Sequence, residues 1–186
     1  MGSYRKLAPA EVGQLIRHLS ALAPDERRMR FQGAVSLIAI ERHCRRIDWF
    51  RTVVIGFFVD GRLRGAAELV LDRALVPRDA EIAVTVEAPW QGSGVGTELV
   101  RRAVMVARNR LVGRVTMMCL IENRRMRSIA RKLRGAQLRF EGGTVEADLD
   151  VARATPWTVL EEWLQDGAGN LAAVTDRLLA PASPSP

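Results

Sequence analysis

The sequence predicts an α/β domain with a mixed, mostly antiparallel sheet of six or seven strands, flanked by helices and followed by a C-terminal helical tail. Three observations predict it. Three β-branched, apolar stretches between Thr52 and Val86 follow one another, the first two joined by Asp60-Gly61, a strong hairpin signal. The third runs into a glycine-rich turn that opens a long amphipathic helix, so the meander changes direction there. After Val151 the strand pattern ends and apolar residues return only at helical spacing.

The elements follow in order. Val12, Leu15, Ile16, Leu19 and Leu22 recur at helical spacing over residues 9–22, and Pro9 suits a first helical turn. Pro24-Asp25 punctuates, and one helical stretch is expected over 25–47. Strands are expected over 52–59, 65–71 and 81–86, with a polar loop at 72–79. The turn occupies 91–96. The helix after it is expected over 94–111, with Val95, Leu99, Ala103, Val106 and Leu111 on its inner face. Residues 114–121 read as a buried strand and 122–133 as a helix. Residues 138–141 and 145–149 read as strands around a second hairpin signal, Gly142-Gly143. In the tail, Thr155-Pro156 caps a helix carrying Trp157, Leu160, Trp163 and Leu164. The stretch 166–169 is expected to break it before a second helix with Leu171, Val174, Leu178 and Leu179. The organisation is then 1–150 for the α/β domain, 151–180 for a helical extension and 181–186 for a disordered Pro/Ser tail.

The chain has 186 residues, 48% of them hydrophobic, which suits one domain with a sizeable core. No apolar run reaches the ~18 residues of a membrane span, and the N-terminus lacks the apolar segment of a signal peptide. Cys44 and Cys119 therefore read as reduced thiols, and the cytoplasm is the expected location. No Cys/His cluster has metal-ligand spacing, so no metal is expected. His18 and His43 lie on predicted helices with no recognisable partner and read as structural or solvated. The net charge is +7, unevenly spread: after residue 150 only Arg153 and Arg177 face four acidic residues. A basic domain attracts polyanions such as nucleic acid, acidic surfaces or a phosphorylated cofactor, and charge alone does not choose among them.

The segment EIAVTVEAPWQGSGVG, residues 81–96, is the informative one. Glycines let the backbone curl tightly and approach an anion closely. Successive N–H groups there, with the free donors at the helix start, make a pyrophosphate site. A dinucleotide fingerprint needs G-x-G-x-x-G, and Thr97 occupies its final position here. A P-loop needs a Lys that this loop lacks. The plainer reading is a structural strand-to-helix turn, against which stand three alternating glycines with Gln91 before them.

This segment resembles the signature of the GNAT superfamily of acyl-CoA-dependent N-acyltransferases: Arg or Gln, two residues, Gly, one residue, then Gly or Ala, met here by Gln91, Gly94 and Gly96. The resemblance extends through the element order of residues 50–150, with Trp90 before the loop and Asn123 at a junction where the family often has Asn. It implies an acyltransferase that uses acetyl-CoA as co-substrate and needs no metal. Backbone groups of Gln91, Gly92, Ser93, Gly94, Val95 and Gly96, with Thr97, would hold the pyrophosphate. Val84 and Val86 would pair with the pantetheine arm, a splay between the 81–86 and 114–121 strands would admit the thioester, and Asn123 would contact the cofactor.

Acetyl transfer to an amine requires the amine neutral when it attacks, hence a base. Glu81 is the first candidate, in a position resembling the glutamate of histone-acetyltransferase-type members; Glu87 is second and Glu68 third. The alternative for Glu81 is a solvated strand end. The family's usual general-acid Tyr falls on Ala130, and Arg134-Gly135 replaces its Gly-Phe, so the thiolate takes its proton from water, from Ser128 or from nothing.

Arg124, Arg125, Arg127, Arg131, Lys132 and Arg134 crowd one helix and read as a solvated face, a contact for the CoA 3′-phosphate, or a nucleic-acid surface. Aromatics at 5% speak against RNA. Arg27, Arg28, Arg30 and Phe31 are weak acceptor-site candidates. The Trp157/Trp163 helix either caps its own domain, the favoured reading, or pairs two subunits into a homodimer. The expected function is acetylation of a primary amine on a small molecule or protein, by direct attack in a ternary complex. The alternatives are a catalytically weak CoA-binding regulator and a basic nucleic-acid-binding domain.

Overall fold

The structure, a computed structural model, describes residues 2–179 apart from 75 and 134. One seven-stranded sheet carries the order β1-β2-β3-β4-β5-β7-β6. Its strands are β1 (Ser3–Lys6), β2 (Thr52–Val59), β3 (Arg62–Leu71), β4 (Asp79–Val86), β5 (Arg114–Leu120), β6 (Gln137–Glu141) and β7 (Thr144–Asp150). The fold is thus the expected mixed sheet, and β4–β5 is its parallel pair. The helices are α1 (Val12–Ala21), α2 (Pro24–Phe31), α3 (Leu37–Arg45), α4 (Val95–Asn109), α5 (Arg124–Lys132) and α6 (Pro156–Leu179).

Strand alternation assigns each face its cover. Ile55, Ala67, Leu69, Ile82 and Val115 pack with Leu99, Ala103 and Val106 of α4. On the opposite face Val54, Phe58 and Ala66 pack with Leu15 and Leu19 of α1 and Ile40 and Cys44 of α3. Each face therefore has its own apolar core.

Four local expectations differ. A short edge strand, β1, precedes the first helix and pairs with β2 from Ser3↔Phe58 to Lys6↔Ile55. The single helix expected over 25–47 is two. Gln32 turns left-handed at φ 57° to end α2, and the Ser36 hydroxyl accepts from the Ala39 N–H at 3.2 Å to start α3. Leu111 does not face the core: it lies beyond α4 at φ 63° and is 67% exposed, and Val112 takes the buried place. The break expected at 166–169 is absent, because α6 runs unbroken through Gly167 and Gly169. Residues 181–186 lie outside the described ones.

Candidate active site

β4 and β5 pair for three rungs only, Asp79↔Arg114, Ala80↔Val115 and Glu81↔Thr116, and then part. β4 stays with β3 as far as Val86, whereas β5 stays with β7 as far as Leu120. Between the parted strands lies a cleft of about 270 Å³. Its walls are the β4 edge from Ala83 to Val86, Met118 and Cys119 of β5, the glycine loop, one side of α5, and Leu22, Glu26, Met29 and Arg30 from α1–α2. The helix α2 spans the opening: Glu26 accepts from Gln91 on one bank at 2.7 Å, and Arg28 pairs with Glu122 on the other.

The loop is built for exposed donors. Gly92 and Gly94 have φ of 75° and 90°, a region that L side chains enter only with strain. The first intrahelical bond here runs from the Glu98 N–H to the Gly94 carbonyl at 3.0 Å. The amides of Val95, Gly96 and Thr97 therefore remain orphan donors at the positive end of a 15-residue helix. A side chain at Gly96 would bring its Cβ within 3.0 Å of Ile129 on α5, so the small residue lets the two helices close behind the loop.

Val84, Val86, Gln91, Gly92, Gly94, Gly96, Thr97 and Asn123 all line the cleft. Ser93 and Val95 sit beside it: the Ser93 hydroxyl donates to the Trp90 carbonyl at 2.6 Å, and Val95 is buried in the α4 core. Gln91 holds the turn through its side chain, whose Nε2 also donates to the Val86 carbonyl at 2.7 Å. That carbonyl already has a partner. Asn123 caps α5, its Oδ1 accepting from the Met126 N–H at 3.1 Å. Of the basic cluster, Arg125 and Lys132 line the cleft, as does Ser128; Arg134 lies outside the described residues. Ala130 is buried against the core.

The three sequence-named carboxylates differ sharply. Glu81 occupies the last paired rung, at the vertex of the splay; it is exposed, its side chain makes no hydrogen bond or ion pair among the described residues, and it is not part of the cleft lining. Glu87 lies outside the lining, facing the His18 ring at 3.2 Å and Arg64 at 2.9 Å. Burial pushes its carboxyl up, but the bonds from His18 and Arg64 outweigh burial and lower its proton affinity. Glu68 is buried opposite Ala83, bound by Arg30 at 2.7 Å and facing His43 at 3.0 Å. Burial again opposes charge, yet Arg30 and His43 hold Glu68 down at about 2. A carboxylate so stabilised is a poor proton acceptor. The Cys119 thiol at the cleft wall is pushed up by burial, so it stays protonated and weakly nucleophilic.

The sequence reading missed Thr85, Leu22, Glu26, Met29, Met118, Cys119, Met126 and Ile129, all of which line the cleft. Their signal was weak because each looks like ordinary core or surface until the strands part. Among the described residues no His/Cys/Asp/Glu group could hold a metal ion, and no helix is long and apolar enough to cross a membrane.

A glycine loop at a helix start offers an anion-binding set of amides, and here it stands beside a strand pair that opens. The acetyltransferase (GNAT) family model matches residues 15–136, well over half of the chain, and the protein belongs to that family. Solved structures share the fold. The GNAT domain of S. lividans PAT superposes with a TM-score of 0.68 at 20% identity, covering 79% of this chain and 89% of that one. A putative acetyltransferase from Salmonella typhimurium, with its cofactor acetyl-CoA, gives 0.61 at 14% identity, covering 83% and 96%. A cAMP-binding acyltransferase from Mycobacterium smegmatis gives 0.59 at 21% identity; it covers 93% of this chain, which spans only 52% of that one. No curated protein sequence matches the chain.

Proposed function

We propose that the protein transfers an acetyl group from acetyl-CoA to a primary amine by direct attack in a ternary complex. The parting of β4 from β5 just beyond Glu81, beside the orphan amides of the glycine loop, carries this reading. The residues fit the ligand. A diphosphate matches the amides of residues 92–97 and the helix dipole, and a pantetheine arm matches the unpaired β4 edge at Val84. The 3′-phosphate matches the exposed cations Arg125 and Lys132, and Asn123 also lines the cleft. Acetyl-CoA, a substrate consumed at each turnover, supplies the acyl group as a thioester.

The acceptor approaches from the face formed by Leu22, Met29 and Arg30. Among the described residues, Glu81 is a carboxylate with no side-chain partner on that sheet face, where its rung partner Val70 and its neighbours Ala83 and Thr85 point the same way. It draws the first proton from the ammonium through solvent. Protonated Cys119 speaks against an acyl-cysteine, and Ser128 or water protonates the departing thiolate.

Calorimetry with acetyl-CoA and CoA, beside CoA release over a panel of amines, tests this. Glu81→Gln should keep acetyl-CoA affinity and lower turnover on the order of 10²-fold. Undetectable coenzyme binding overturns the reading. Binding without turnover of any amine identifies the regulatory alternative, which the buried Ala130 at the usual acid position favours.

A further inference from the structure

An alkylammonium loses two protons on its way to a secondary amide: one before it can attack, one after the new C–N bond forms. A single exposed carboxylate serves the first. We infer that Thr85, His18 and Glu87 form a relay that removes the second, an inference that rests on the acetyltransferase reading.

The geometry is a chain of three contacts. Thr85 stands on the open segment of β4, lines the cleft, and is 8% exposed. Its Oγ1 lies 2.8 Å from His18 Nε2. His18, on α1, is 1% exposed, and its Nδ1 lies 3.2 Å from Glu87 Oε1. Arg64 donates to the other Glu87 oxygen at 2.9 Å. An ionised carboxylate only accepts, so Nδ1 carries the ring proton and donates to Glu87. Nε2 is then the acceptor, and the Thr85 hydroxyl donates to it. The Thr85 lone pairs are thereby left for a donor on the cleft side. A nucleophile-like hydroxyl, a base and an orienting carboxylate in this order are the arrangement by which proteins move a proton off a reacting group.

The step balances. The amine nitrogen bonds to the thioester carbon, and the C–S bond breaks to release thiolate. The N–H bond of the cationic adduct breaks as its proton passes to Thr85 Oγ1, while the Thr85 hydroxyl proton passes to His18 Nε2. The imidazolium so formed is held by Glu87 and returns its proton to solvent or thiolate after release. Thr85 touches the substrate and is catalytic; His18 and Glu87 act through it and are positioning residues.

Charged groups from several elements flank His18. From β3 and the β4 end come Arg64 and Glu87. From α2 comes Arg27, which donates to the Ser20 carbonyl of α1 at 3.2 Å. On the same sheet face lies the closed Arg30–Glu68–His43 cluster. Glu87 is the charge in direct contact with the ring.

The test measures kcat, KM and the pH profile of kcat/KM in the full chain, with acetyl-CoA affinity by calorimetry. Thr85→Val should lower kcat on the order of 10²-fold with KM and acetyl-CoA affinity little changed, and Thr85→Ser should restore most of it. Glu87→Gln keeps an acceptor for Nδ1–H and should move the acid limb of the profile to lower pH. Three results overturn the relay: unchanged kcat in Thr85→Val, Thr85→Ser as impaired as Val, or an unmoved profile in Glu87→Gln. An acetyl group on Thr85 by mass spectrometry overturns it in favour of an acyl-enzyme. Wild-type protein that turns over no amine overturns the acetyltransferase reading itself, and the relay with it.

Discussion

At the scale of single residues, the buried charge of Glu68 ties the acceptor face of the cleft to the stability of the fold. Arg30, part of the cleft wall, donates to it, and His43 closes the other oxygen. Breaking a buried pair strands the surviving charge, so Glu68→Gln should destabilise the protein at neutral pH by about 3 kcal/mol. Its pH signature follows from the direction of the shift. The folded state holds this carboxyl at about 2, below its ordinary value of 4.5. Its contribution is complete above the ordinary value and is lost as pH falls toward 2. Denaturant melts should show the wild type weakening across that window, with the limb flattened in Glu68→Gln. An equally steep limb in the variant would assign acid sensitivity to other carboxylates. None of this was legible in the chain. Both histidines read as lone side chains because their partners lie 25, 67 and 69 residues away and meet only through sheet register. Glu87 stood out for its closeness to the loop, but what it faces could not be read.

At the scale of elements, the strand–loop–helix unit was the most legible part, because its glycines are demanded by backbone geometry and not by neighbours. Gly94 shows why. At φ 90° any other residue is strained by about 1–3 kcal/mol, and nothing stands within 4 Å of an added Cβ, so strain is the whole effect. Relieving it turns the orphan amides away from the cleft. Gly94→Ala should therefore weaken acetyl-CoA binding on the order of tenfold. Gly61→Ala offers the control: a similar left-handed position, φ 69°, in the β2–β3 hairpin away from the cleft, which should cost stability and leave affinity alone. Equal calorimetric affinities for both variants would remove the loop from coenzyme binding. The α2–α3 division was readable in principle, since Gly33 follows the end of one helix and Ser36 caps the next. The continuing apolar period of Met29, Ala34, Leu37 and Ile38 masked those signals. β1 gave no pattern to read: four residues at a sheet edge owe their conformation to β2.

At the scale of the whole molecule, α6 decides how the first strand is covered. It lies on β1 and α4. Lys6 pairs with Glu162 and Asp166, Asn109 donates to the Thr158 carbonyl at 2.9 Å, and Arg101 reaches Glu161 at 3.1 Å. These contacts support the reading of the tail as a cap on its own domain, although Trp157 and Trp163 point outward and are 74% and 71% exposed. The glycines that looked like a helix break have a different use. Gly169 sits where an added Cβ would collide with the Tyr4 carbonyl and approach Arg5 Cβ at 2.7 Å, so its bare backbone lets α6 lie directly on β1. Periodicity cannot reveal this, because a helix-breaking residue and a close-packing residue are the same letter. Gly169→Val should push the helix off the strand. Overpacking of this kind costs about 1–3 kcal/mol, and for a chain of this size each kcal/mol lowers Tm by about 2–4 °C. The cleft lies on other strands, between β4 and β5, so acetyl-CoA affinity measured below the melt should stay at the wild-type value. A variant that melts like the wild type would show that the helix does not need this contact. One that loses affinity would couple the tail to the cleft.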